Sequence, residues 1–323
     1  MPTLADLPPA LLLGFAVAFG LLFGSFLNVV IYRLPRDESV VSPGSRCPAC
    51  GTPIRAYDNV PVLSWLLLRG RSRCCKARIS PRYPLVELLG GLFAWALVET
   101  VIADLSPDTP WWRVVLIFAV HLALGLGLIA AAFIDLEHMY LPDEITLGGT
   151  VLGLVTVPLR EGATWLGALG GAAFGFVLIW LPFDFLYRNL RGHPGMGLGD
   201  AKLVMLAGAW FGWPGALFAL LAGAVQGTVA ALVLFLTQGR IEEPEAVKRE
   251  RAELMRELEQ LEGDARRELE AELAKDPIAG EPEPGLAKAR LAFGPFLALS
   301  TLEFLLFGRV LMRDYLQFIV PGF

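Results

Sequence analysis

The feature that most constrains this chain is the repeated return of apolar runs about 20 residues long, the length that spans a bilayer as a helix. In hydrocarbon a single open segment satisfies its own backbone hydrogen bonds only as a helix. Eight spans are predicted: Pro9 to Tyr32, Pro84 to Ile102, Arg113 to Asp135, Asp143 to Leu159, Thr164 to Tyr187, a short Asp200 to Phe211, Pro214 to Thr237, and Leu291 to Arg309. The turn Phe211-Gly212-Trp213-Pro214 favours two helices there, with one kinked helix as the alternative. The expected fold is all-α, a polytopic membrane protein of about eight transmembrane helices. Composition agrees: 55% of residues are hydrophobic and 18% charged, where soluble domains carry about a quarter. The first run has no basic region before it and no small-x-small site after it, so it reads as a retained span rather than a signal peptide.

Lysine and arginine fix an expected orientation. Of 27, ten lie in Arg33–Tyr83, three in Arg188–Lys202 and ten in Arg240–Arg290, whereas Arg113, Arg160, Arg309 and Arg313 lie by the opposite connections. The positive-inside rule makes the three rich segments cytoplasmic and both termini periplasmic. The chain divides into a first helix (1–32), a cytoplasmic Cys-containing loop (33–83), a transmembrane core (84–239), a cytoplasmic charged helical insertion (240–290), and a last helix with its tail (291–323). One consequence needs no motif. Asp135 ends an inward span and Asp200 begins an outward one, so both aspartates are expected at the cytoplasmic margin, 65 positions apart in sequence.

The insertion is of another character. From Glu242 to Glu283 it holds 15 acidic residues and no aromatic ones, with Leu254, Leu258, Leu261, Leu269 and Leu273 at helical spacing. A solvated amphipathic helix or hairpin, broken near Gly263 and ending in a flexible stretch from Asp276-Pro277 to Pro284-Gly285, is predicted. It is either a plain insertion or a surface for a partner or a second copy.

Two acidic clusters carry the candidate chemistry. The first is Asp135-Leu-Glu-His-Met-Tyr-Leu-Pro-Asp143, and the second Gly195-Met-Gly-Leu-Gly-Asp200-Ala-Lys-Leu203. Gly197 and Gly199 allow close backbone approach and positive φ just before Asp200. Acids at helix ends also serve as caps, but ionisable residues at membrane depth are functional candidates by default. A pair of carboxylates sharing one proton suits peptide hydrolysis: one deprotonates a water and the other donates to the scissile carbonyl oxygen. No metal and no covalent intermediate are required for that step. Lys202 lies close to Asp200 and can tune its charge, while Glu87, Asp184 and Glu303 are expected to be interior hydrogen-bonding residues. His121, about 21 Å along a helix from Asp135, is too far to join the pair.

Gly197-Leu-Gly199-Asp200 resembles the signature of GxGD membrane aspartyl proteases, and the string from Gly195 to Leu203 resembles the bacterial prepilin peptidase branch. Four further passages do so in the family's order: Phe23 to Pro35, Ile79 to Glu87, Ile134 to Asp143, and Phe293 to Ala298. The resemblance implies an eight-span inner-membrane enzyme whose catalytic aspartates match Asp135 and Asp200, with Gly197, Gly199, Lys202 and Asp143 in support. It implies type IV prepilins and type II secretion pseudopilins as substrates, cut after a glycine that ends a short basic leader, with the lipid bilayer as surroundings and no nucleic-acid partner. It also implies S-adenosylmethionine-dependent methylation of the new N-terminus, associated with a full first cytoplasmic loop such as Arg33–Tyr83.

The cysteines depart from the family's two Cys-x-x-Cys pairs, whose spacing suits tetrahedral zinc. Cys47-Pro-Ala-Cys50 is intact, but Ser72 stands where the third cysteine belongs, Cys75 at the fourth, and Cys74 beside Cys75. Adjacent cysteines are expected to diverge, which weighs against a zinc site formed by Cys47, Cys50, Cys74 and Cys75. Three ligands plus water, a contorted four-cysteine site, or a loop of reduced thiols all fit the sequence. Two other functions are weighed. A proton-coupled transporter also uses intramembrane acids, though the halves show no internal symmetry. An inactive relative would act as a scaffold through the insertion.

Overall fold

Leucine, alanine, valine and phenylalanine dominate the apolar runs, and in a computed structural model of the protein these runs are helices. The structure describes residues 2–191, 196–238, 244–261, 263–273 and 291–319, with isolated β-bridges and no strand among them. The expected Pro/Gly stretch from Asp276 to Gly285, Gly195 of the glycine motif and Leu291's upstream linker to the insertion fall wholly or partly outside these residues. Among the described residues, five helices are each long and apolar enough to cross a membrane. The chain forms two compact units, residues 1–130, 158–162 and 305–323 in one, and 131–157 and 163–304 in the other.

In the first unit α1 (Pro9–Arg33) packs on α3 (Arg82–Leu97) through glycines. A Cβ on Gly20 would lie 2.4 Å from the Gly90 carbonyl oxygen, so any larger residue forces the helices apart. Such small-residue seams are how helices attract one another in lipid, where burying apolar surface gains nothing. The Phe93 ring fills the space beside Gly125 of α4 (Trp111–His138). Ile102, Leu105, Val114 and Ile117 close the far end. Between α1 and α3 the loop folds into two knuckle-like turns around α2 (Leu63–Leu67).

The second unit takes up the end of α4, then α5 (Asp143–Val155) and α6 (Trp165–Ile179), which passes through a π-helical turn at Trp180–Leu186 into α7 (Tyr187–Arg191). Thr164 caps α6 by accepting the Gly167 N–H at 3.0 Å. The longest helix, α8 (Leu198–Gln238), breaks at Gly212 (φ 68°, ψ −170°), with Pro214 following.

The contacts make that break a reversal. Before it, a Cβ on Gly208 would lie 2.0 Å from the Gly171 oxygen, and one on Gly175 2.4 Å from the Val204 oxygen, so this arm packs on α6. After it, Ser300 of α11 (Gly294–Ile319) donates to the Ala219 carbonyl at 2.8 Å, and Gly227 faces Phe293 and Phe296. Gly294 also meets Asp135, which shares a cavity with Asp200. Residues 200 and 227 therefore stand at one level, where a straight helix would part them by about 40 Å. Arms 198–211 and 214–238 are two helices, which decides between the two sequence alternatives. The insertion is a helical pair, α9 (Glu245–Gln260) and α10 (Gly263–Leu273), broken at Gly263 (φ 67°) as predicted.

Candidate active site

Asp135 sits in the last turn-and-a-half of α4, where the chain is about to reverse through Met139, a non-glycine residue at φ 52°. Pro142 then starts α5. Asp200 occupies the first turn of α8. Both aspartates line one cavity of about 470 Å³, with Met139, Tyr140, Leu141, Asp143, Glu144, Gly197, Gly199 and Lys202 around them. The sequence expectation that the two carboxylates reach one place is met by this arrangement. Asp135 is 6% exposed, whereas Asp200 is partly open to the cavity.

Sequence reasoning missed one member of the site. The Gly294 N–H, at the start of α11, donates to Asp135 Oδ2 at 2.9 Å. A Cβ there would stand 2.7 Å from that oxygen and 3.0 Å from Leu141 Cδ2, so only glycine fits. Gly294 lay inside one of the resembling passages, yet nothing in the sequence marks a contact across 159 positions.

The supporting residues are brought in to different degrees. Lys202 Nζ and Asp143 Oδ1 form an ion pair of 2.6 Å that ties the start of α8 to the start of α5. Gly199 permits the approach of Leu141, whose Cβ would be 3.1 Å from an added methyl. The expectation of positive φ before Asp200 is corrected for Gly197 and Gly199: among the described residues the positive-φ glycines are Gly51, Gly70, Gly162, Gly212 and Gly263. Close approach, rather than left-handed backbone, is what Gly199 supplies. Glu87 accepts the Val62 N–H at 2.6 Å, Glu303 accepts from the Gln226 amide at 2.7 Å, and Asp184 pairs with Arg188. Glu87 and Glu303 are interior hydrogen-bonding residues as expected, whereas Asp184 makes an exposed pair one turn along its own helix.

The cysteines require a second correction. The Sγ atoms of Cys47, Cys50, Cys74 and Cys75 all lie within 4.8 Å of one another, with 3.7 Å between Cys47 and Cys75 and 3.3 Å between Cys50 and Cys74. Tetrahedral zinc with bonds near 2.3 Å separates its sulfurs by about 3.8 Å. The four thiols fit that ion. The divergence expected of Cys74 and Cys75 holds for an extended chain, but here residues 73–75 form a tight turn that closes at Lys76 (φ 59°). This turn matches the first one. Cys47 N–H donates to Thr52 O and Gly51 N–H to Cys47 O, just as Ser72 N–H donates to Ala77 O and Lys76 N–H to Ser72 O. Ser72 is thus the counterpart of Cys47, buried, with its hydroxyl 3.2 Å from the Cys75 sulfur. The Ala49 and Cys50 N–H groups hold the Cys47 thiol down to about 6, while the Cys50 sulfur and burial push Cys74 up to about 11. Zinc, if held here, would be bound by these four sulfurs and would staple the two turns.

Residues 18–101 match the Bacterial Peptidase A24 N-terminal domain, and residues 122–232 match the Type IV leader peptidase family. The chain is 34% identical to the prepilin leader peptidase/N-methyltransferase of Stutzerimonas stutzeri, over 94% of this chain and 93% of that one. The chain belongs to the type IV leader peptidase family. It is also 32% identical to the protein of the same name from Pseudomonas aeruginosa, over 94% of this chain and 92% of that one. With the one from Myxococcus xanthus it shares 41% identity over 70% of this chain and 64% of that one. No solved structure matches the chain.

Proposed function

We propose that this protein is an inner-membrane aspartic endopeptidase that removes the leader peptide of type IV prepilins and pseudopilins, with Asp135 and Asp200 as its catalytic pair. The observation that carries this reading is the single cavity lined by both carboxylates. One carboxylate takes a proton from a water, whose oxygen attacks the scissile carbonyl carbon. The other gives its proton to the carbonyl oxygen. The tetrahedral intermediate then collapses, the C–N bond breaks, and the amine nitrogen leaves with a proton from the pair. Gly294 and the Lys202–Asp143 pair position the two helices that present the aspartates.

The relatives' names support a second step, N-methylation of the new amine, in which S-adenosylmethionine supplies the methyl group. Loop 33–83 serves that step in this reading and faces the cytoplasm together with the dyad. Charge asymmetry supports the orientation, with both termini periplasmic. The insertion 240–290 remains a candidate surface for a partner or a second copy, supported by the polar, amphipathic sequence of α9 and α10.

Incubating purified protein with a prepilin and weighing the product tests the whole reading. A fragment cut at the leader junction, heavier by one methyl group when S-adenosylmethionine is present, is expected. Intact prepilin under all conditions would favour a scaffold or transporter.

A further inference from the structure

The loop between α1 and α3 exposes apolar surface in an unusual place. Leu63, Leu66 and Leu67 stand at i, i+3 and i+4 on one face of α2 and are 58%, 57% and 82% exposed. The opposite face is spent inward: Ser64 is buried and its hydroxyl donates to the Tyr57 carbonyl, and Trp65 Nε1 donates to the Ile79 carbonyl at 3.1 Å. The helix is therefore held by the loop with its greasy side turned out.

Its N-terminal end is tied to the apolar span Arg82–Ile102 through Glu87. The N–H of Val62, the residue before α2, donates to Glu87 Oε2 at 2.6 Å. Glu87 lies five residues inside the apolar span Arg82–Ile102, about 7.5 Å along a helix. Asn28 of α1, also within a span, donates to the Tyr83 carbonyl at 3.1 Å and holds the same junction down. The outward leucines are thus tethered to the loop-proximal ends of two apolar spans.

Charge names the occupant. Residues 33–83 carry ten lysines and arginines against three aspartates and glutamates, in a chain whose net charge is −5. Arg69 and Arg71 follow α2 directly, and neither they nor Arg78 have an ion-pair partner among the described residues. Arg71 and Arg78 are moreover opposed across an antiparallel bridge, a like-charge pairing that is unfavourable until an anion lies beside it. Apolar residues at the interface with arginines around them are the pattern of an in-plane lipid anchor.

We propose that α2 docks the loop onto the anionic phospholipid surface, with Leu63, Leu66 and Leu67 in the acyl–headgroup boundary and Arg69, Arg71 and Arg78 against lipid phosphates. The docking holds the cysteine turns at a fixed height over the membrane.

Photo-cross-linking of the full chain tests this. Leu67 is replaced by the photoreactive p-benzoylphenylalanine, an apolar side chain that an exposed site tolerates. The protein is placed in nanodiscs of phosphatidylcholine alone or of a phosphatidylcholine–phosphatidylglycerol mixture, and irradiated with and without a prepilin. Mass spectrometry is expected to find a phospholipid adduct on the α2 peptide, at least about threefold more in the anionic discs, a preference that fades at high salt. The triple variant Arg69→Gln, Arg71→Gln, Arg78→Gln is expected to lose that preference while keeping leader cleavage. An adduct to prepilin in place of lipid would make α2 a substrate surface and overturn the proposal. Absence of any lipid adduct, or equal yields in the two disc types, would overturn it as well.

Discussion

At the scale of single residues, the site depends on atoms that must not be there. Gly294 is the sharpest case, since a methyl group would press on the Asp135 carboxylate at 2.7 Å. Gly294→Ala is expected to lower kcat for leader cleavage by about 10²-fold, the cost of moving a catalytic group by around an ångström, with KM little changed. Circular dichroism of the variant in detergent should match the parent, and wild-type kcat would refute the role. The thiols make a pH prediction. Cys47 falls to about 6 from an ordinary 9.0, so in metal-free protein it is the first thiol to ionise, and Cys74 is held back to about 11. The thiolate contribution to loop stability is complete above about pH 9 and is lost as pH falls through about 6. Ultraviolet titration near 240 nm should therefore show one thiolate appearing around pH 6 and missing from Cys47→Ser. Ser72 was readable in sequence as a missing ligand. The convergence of Cys74 and Cys75 was not, because it depends on a turn closed by Lys76 in left-handed backbone, which no residue type there announces.

At the scale of elements, the apolar runs and the turn at Gly212-Trp213-Pro214 made most of the helices legible. The reversal inside α8 could be expected from those residues, but its consequence could not. It brings the α11 end of the chain to the level of Asp200, and so lets Gly294 reach Asp135. α2 was illegible because five residues in a charged loop carry too short a period to read. The α6–α8 seam rests on the mutual contact of Gly171 and Gly208, where an added Cβ would lie 2.0 Å from backbone oxygen. Gly208→Val is expected to destabilise the second unit by about 1–3 kcal/mol or more through overpacking, seen as a lower midpoint in thermal unfolding in detergent. The Lys202–Asp143 pair joins α5 and α8, but Asp143 is half exposed, so solvent screens it. Asp143→Asn should cost no more than about 1 kcal/mol of stability. The exchange Asp143→Lys with Lys202→Asp should recover activity that either single change loses.

At the scale of the whole molecule, orientation came from charge alone. Loop 33–83 and the acidic insertion are proposed to lie on the cytoplasmic side, and the turn at Glu161-Gly162 on the other. Alkaline phosphatase fused after Gly162 is expected to be active and a fusion within 40–50 inactive; the reverse pattern would invert the topology. The matched region 18–101 lies within the first compact unit, the region 122–232 lies mostly within the second, and both aspartates belong to the second. The central claim is that those two carboxylates act as one device, which kinetics of prepilin cleavage tests most directly. Asp135→Asn and Asp200→Asn should each abolish cleavage, and the double variant should be no slower than either, because residues acting as a unit are not additive. Wild-type cleavage by either single variant would contradict the account.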